Sequence, residues 1–168
     1  MKPSNPFNPN LDLTFERVVE APRELIWRAW TEPEHLMPWF CPKPWQTVEC
    51  EMELCPGGKF RTVMQSPEGI QFPNDGCYLQ LIKNQKLTWT NALLPGFRPA
   101  ILDTSCGDAQ AQFFFTATIE LAVHGSGTRY SATVIHADAA GCQKHAEMGF
   151  EAGWGAALEQ LVAYVKTL

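Results

Sequence analysis

Residues 150–168 constrain the architecture of this chain more than any other stretch. Phe150, Trp154, Ala157, Leu158, Leu161, Val165 and Leu168 recur at steps of three and four, so they share one face of a helix. A helix over that span is roughly 28 Å long. Its apolar stripe, aromatic at the leading end, must be buried against another layer. Apart from a short helical region near the start, everything before it reads as strands. The partner is therefore a sheet, and the face between helix and sheet is where a function is expected.

Residues 11–19 alternate, with Leu11, Leu13 and Phe15 on one face, as a first strand does. Ala21-Pro22 opens a helix, because proline at the first turn lacks only an N–H that would go unbonded anyway. Leu25, Ile26, Ala29 and Trp30 form its buried side. Glu32-Pro33 ends it, and a second short helix follows to about Trp39. From Trp45 the period is two: Val48, Cys50, Met52 and Leu54 alternate with Thr47, Glu49, Glu51 and Glu53. Pro56-Gly57-Gly58 turns the chain, and Phe60, Thr62 and Met64 share a face of the returning strand. A turn at Pro67-Glu68-Gly69 and a loop around residues 73–76 precede Cys77, Leu79 and Leu81. After Lys83-Asn84-Gln85 come Leu87, Trp89, Asn91 and Leu93. Residues 94–111 lack a period and are expected to form a long loop, a length usually associated with function or mobility. Residues 113–121 keep their odd positions apolar, and Tyr130, Ala132, Val134 and His136 share a face of the last strand. Short connections imply an antiparallel sheet with one covered and one wet face.

In this order the segments Arg17-Val-Val-Glu-Ala-Pro22, Ile26-Trp-Arg-Ala-Trp-Thr-Glu-Pro33, Trp39, Pro56-Gly-Gly58, Gly76-Cys-Tyr-Leu79 and Gly149-Phe-Glu-Ala-Gly-Trp154 resemble a START-like (SRPBCC, helix-grip) domain. Within that group they resemble the activator of heat-shock-protein-90 ATPase homologue-like family. The resemblance implies an α+β helix-grip fold of the START/Bet v 1 type. In it, a curved antiparallel sheet of about six to seven strands wraps a long C-terminal helix, with two short helices after the first strand. It also implies a hollow interior able to hold a ligand. The family usually carries an Asp where Glu53 stands and a basic residue where Cys55 stands, so a charge-dependent role does not carry over to that edge. Residues 1–10 are expected to be a flexible tail and residues 11–168 a single domain.

Composition excludes several classes of function. A net charge of −5 and a pI near 5.3, with no run of Lys or Arg, speak against nucleic acid or anionic membrane as a partner. The polar, proline-rich start lacks the apolar core of a signal peptide, and no apolar run is long enough to span a bilayer. A soluble, cytoplasmic protein is expected. Its six cysteines are then expected as reduced, structural thiols, since no C-x-x-C pair occurs. Edge strands allow a homodimer.

Three polar residues, Thr62, Asn91 and His136, lie on otherwise apolar strand faces. Extending the last helix backwards in phase adds Glu147 to the stripe of Phe150 and Trp154. Met64, Trp89, Asn91, Phe115, His136, Glu147, Phe150 and Trp154 are thus the expected ligand-binding set: a mostly apolar cavity with a few convergent polar groups. His136, Asp138, Cys142, His145 and Glu147 include metal-ligand types, but their spacing fits no known motif and no metal is expected. No G-x-S-x-G elbow and no G-x-G-x-x-G loop occurs, so neither a serine nucleophile nor a nucleotide cofactor is indicated. The leading expectation is a module that binds a small apolar or aromatic molecule without covalent chemistry. A cyclase-like enzyme using His136 or Glu147 as general base is the alternative. A chaperone-linked role, by analogy with the family's namesakes, ranks third.

Overall fold

A computed structural model describes residues 6–101 and 113–168. β1 (Asp12–Val19) leads into α1 (Arg23–Thr31) and the single turn α2 (Pro33–Leu36). Next come β2 (Gln46–Met52), β3 (Lys59–Gln65), β4 (Gln71–Ile82) and β5 (Lys86–Thr90). A small excursion follows: β6 (Leu93–Leu94), a 3-10 turn over Pro95–Phe97, and β7 (Arg98–Pro99). The chain ends with β8 (Phe115–His124), β9 (Gly127–His136), α3 (Ala139–Glu147) and α4 (Phe150–Val165). Among the described residues the main sheet has seven strands in the order β1-β9-β8-β5-β4-β3-β2, every pair antiparallel. The fold is α+β, one antiparallel sheet with the closing helix packed on it, and it matches the helix-grip architecture that the resemblance implies.

The stripe on α4 is buried as its periodicity demands. Phe150, Ala157, Leu158, Leu161 and Val165 join one core with Phe15, Ile119, Tyr130, Ala132 and Val134 of the sheet. Leu168 lies beyond the helix and is 45% exposed. The amide of Gln160 ties the same helix to the chain after α2. Its Nε2 donates to the carbonyls of Trp39 (3.1 Å) and Cys41 (2.9 Å), and its Oε1 accepts from the Lys43 N–H (2.9 Å).

Four sequence expectations need correcting. Residues 73–76 are not a loop: β4 runs straight through them, pairing Pro73 with Val63 of β3. Pro73 is tolerated because β5 pairs only with residues 77–82, so no ladder bond is asked of it on that side. Two bulges, between Thr47 and Glu49 and between Tyr78 and Gln80, shift the strand parity. Thr47 and Tyr78 are therefore buried where strict alternation puts Val48 and Leu79. The expected loop over 94–111 begins instead with the β6–β7 hairpin, and its remainder, with Cys106, falls largely outside the described residues. Finally, the last helix does not extend back through Glu147. Gly149 takes φ 85°, ψ 47°, a left-handed conformation that ends α3 and restarts the chain as α4.

Beneath α1 and α2 the interior is filled with rings. Trp30 lies 4.9 Å from Trp39 and 5.3 Å from Trp89, centroid to centroid, and Phe60 stacks on Tyr78 at 5.0 Å and meets Trp89 at 5.5 Å. The other end of α4, next to α3, is built differently.

Candidate functional site

His136 is the last residue of β9, opposite Phe115 on β8. It is 7% exposed, and both ring nitrogens are engaged. Nδ1 lies 2.8 Å from the carbonyl oxygen of Leu11, and Nε2 lies 3.0 Å from Nδ1 of His145. A carbonyl only accepts, so His136 Nδ1 carries a proton. With one proton on that ring, its Nε2 accepts and His145 Nδ1–H donates. The second ring nitrogen of His145 is then a bare lone pair directed away from His136, and it has no hydrogen-bond partner among the described residues.

α3 delivers His145 to this position. Asp138 caps the helix, its carboxylate accepting from the Gly141 N–H at 2.7 Å, and this fixes the starting point from which His145 follows nearly two turns later. Rings surround the imidazole: Phe113 at 4.9 Å, Phe150 at 5.1 Å, Phe115 at 5.9 Å and Trp154 at 6.5 Å between centroids. Phe150 is buried, while Phe113, Phe115, His145 and Trp154 are half-buried. Burial, reinforced by the neighbouring His136, pushes the His145 pKa down to about 4. The ring is therefore neutral at neutral pH.

Of the expected set, Phe115, His136, Phe150 and Trp154 come together around His145. Asn91 serves this group through the backbone: its amide donates to the carbonyl of Phe113 (2.9 Å) and accepts from the N–H of Phe115 (2.8 Å), holding both rings' main chain against β5. Trp89 lies elsewhere, between Trp30 and Phe60. Met64 sits on β3, with three strands between it and His136. Glu147 is exposed and bonded to Gln143 on its own helix at 2.9 Å, a correction that follows from the break at Gly149. His145 and Phe113 are the residues that sequence reasoning left out of the set. The signal for His145 was present: Asp138 as cap and Gly149 as terminator bracket a separate helix with its own phase.

An open groove between β1 and α4 is lined by residues that include Phe15, Arg17, Gly155 and Val162 and by none of the expected site residues. Arg17 crosses it, 3.0 Å from Glu151 and over the ring of Phe15. As for metal-ligand types, Glu32, Glu34 and His35 bring their ligand atoms within 4.8 Å of one another. Glu32 is already paired with Arg28 at 3.1 Å and with His35 at 3.1 Å, which makes this a surface ion-pair corner. No helix among the described residues is long and apolar enough to cross a membrane.

The shape of the whole chain recurs in solved structures. A crystal structure of a protein from Nitrosomonas europaea is 43% identical, with a TM-score of 0.87 over 96% of this chain and 97% of that one. A solution structure of a protein from Arthrobacter aurescens is 22% identical, with a TM-score of 0.77 over 95% and 88%. The AHSA1-like protein from Aeromonas hydrophila is 19% identical, with a TM-score of 0.66 over 94% and 93%. The last two speak to the fold alone. The family model described as activator of Hsp90 ATPase homolog 1-like protein matches residues 20–166. No match to a curated protein was found.

Proposed function

We propose that this chain, which belongs to the activator of Hsp90 ATPase homolog 1-like family, binds a small apolar or aromatic molecule beneath the first turn of α4 and performs no covalent chemistry on it. The observation that carries this reading is the neutral His145 ring, half-buried among Phe113, Phe115, Phe150 and Trp154 with one nitrogen unbonded among the described residues. An apolar lining with one or two fixed polar atoms is the usual composition of a small-molecule site. The rings beneath α1 and α2 are packed against one another and support no such role.

The cyclase-like alternative asks His136 or Glu147 to take a proton from substrate; Glu147 is exposed and bonded to Gln143, and the structure offers His145 in its place. An efficient general base has a pKa near the working pH. His145, lowered to about 4, is a weak base at neutral pH but keeps an unprotonated nitrogen that can accept a hydrogen bond. That contrast favours binding over proton abstraction.

The test is a titration with N-phenyl-1-naphthylamine, an uncharged fluorescent probe. Saturable binding near one-to-one is expected, weakened roughly fivefold or more in Trp154→Leu, a loss of about 1 kcal/mol or more from one aromatic wall. If the folded protein leaves the probe's fluorescence unchanged, the reading fails.

A further inference from the structure

We infer that the site takes neutral aromatic molecules that donate a hydrogen bond, such as phenols and aryl N–H compounds, with His145 Nε2 as the acceptor and with carboxylates disfavoured. The inference rests on the reading of this group as a ligand site and adds the polarity of its occupant.

Three observations lead to it. The Leu11 carbonyl, 2.8 Å from His136 Nδ1, fixes the proton at one end of the chain of bonds. The 3.0 Å contact between His136 Nε2 and His145 Nδ1 passes that sense on, so His145 presents a lone pair rather than an N–H. Around that nitrogen's ring stand Phe113, Phe115, Phe150 and Trp154, and no donor among the described residues is bonded to it. An acceptor placed on this lone pair, whether an ether or a carboxylate oxygen, meets repulsion. A donor completes the chain from Leu11 outward. An ammonium group also donates, but removing it from water costs more than one neutral acceptor returns. Low basicity serves the same end, because a ring that stays unprotonated does not attract acids by charge.

Three naphthalenes of similar size test the claim: 1-naphthol, 1-methoxynaphthalene and 1-naphthoate, each measured by displacement of the fluorescent probe at pH 7. One neutral hydrogen bond predicts that the naphthol binds about fivefold to tenfold tighter than the methyl ether, with the naphthoate weakest. In His145→Phe the naphthol is expected to lose its advantage, so that the naphthol and the ether bind alike. Equal binding of naphthol and ether to the wild-type protein overturns the inference while leaving the ligand-site reading intact. Failure of all three, and of the probe, overturns both. Should the variant fold poorly, nitrogen-15 spectra of the wild-type histidines decide the matter. Nδ1-protonated His145 whose Nε2 responds to 1-naphthol is expected, and an Nε2–H tautomer at neutral pH refutes the inference.

Discussion

A histidine kept neutral by its surroundings leaves a trace in the pH dependence of folding. In the unfolded chain His145 titrates at its ordinary value of 6.5, and in the folded protein at about 4. Between those values the unfolded state binds more protons, so stability falls as pH falls from about 6.5 and stops falling, for this group, below about 4. The half-exposed ring reduces the effect to roughly 1–2 kcal/mol. That corresponds to a drop of about 3–6 °C in Tm across the window. Thermal melts at closely spaced pH values are expected to show this slope in the wild-type protein and a shallower one in His145→Phe. Identical slopes would assign the effect to other groups. At this scale sequence reading went partway. His136 stood out because it is polar on an apolar strand face. His145 did not, because its importance depends on meeting His136 across a junction between strand and helix that no periodicity describes.

Elements explain that gap. The apolar stripe of α4 was legible because it repeats over sixteen residues, and Leu161 at its centre is fully buried as the repeat requires. α3 was harder to see, since its small and polar residues give a weak pattern and the register changes at one glycine. That glycine makes a direct prediction. Nothing lies within 4 Å of a side chain built on Gly149, so the cost of Gly149→Ala comes from the left-handed backbone alone, about 1–2 kcal/mol. Gly149→Asn is expected to cost less, because asparagine tolerates this conformation better. Chemical denaturation of both variants checks the order, and an alanine variant as stable as wild type would mean that the break between the helices does not need a left-handed residue. Bulges belong to the same class of hidden feature. The extra residues at Val48 and Leu79 leave each strand's composition ordinary while moving Thr47 and Tyr78 to the buried side.

At the scale of the molecule, ring contacts among the described residues gather into two large aromatic groups. One, around Trp30, Trp39, Phe60, Tyr78 and Trp89, is packed under the two short helices. The other, around His145, is half-buried at the far end of α4. The antiparallel pairing and the helix-covered inner face followed from alternation and short connections, whereas the order of the strands did not. Nor did the division into two groups, because a tryptophan on an inward strand position reads the same whether it fills a core or walls a pocket. The two roles separate under mutation. Trp89→Leu is expected to lower stability by about 2–4 kcal/mol, as large-to-small core changes do, with probe affinity within twofold of wild type. Trp154→Leu is expected to do the reverse, costing little stability and much affinity. Measuring both quantities in both variants suffices. A Trp89→Leu protein that stays stable yet loses the probe would place the ligand under α1 and α2 instead.

The oxygen that orients the two histidines belongs to the main chain at Leu11. A side chain can be exchanged by a single codon, whereas a peptide carbonyl is common to all twenty residues. Substitution at position 11 therefore leaves the instruction intact unless it displaces the strand's path. The orientation of the two histidines is in this sense written into the route of the backbone, where mutation reaches it only indirectly. Sequences descended from this one are free to vary the residue that delivers the message while still delivering it.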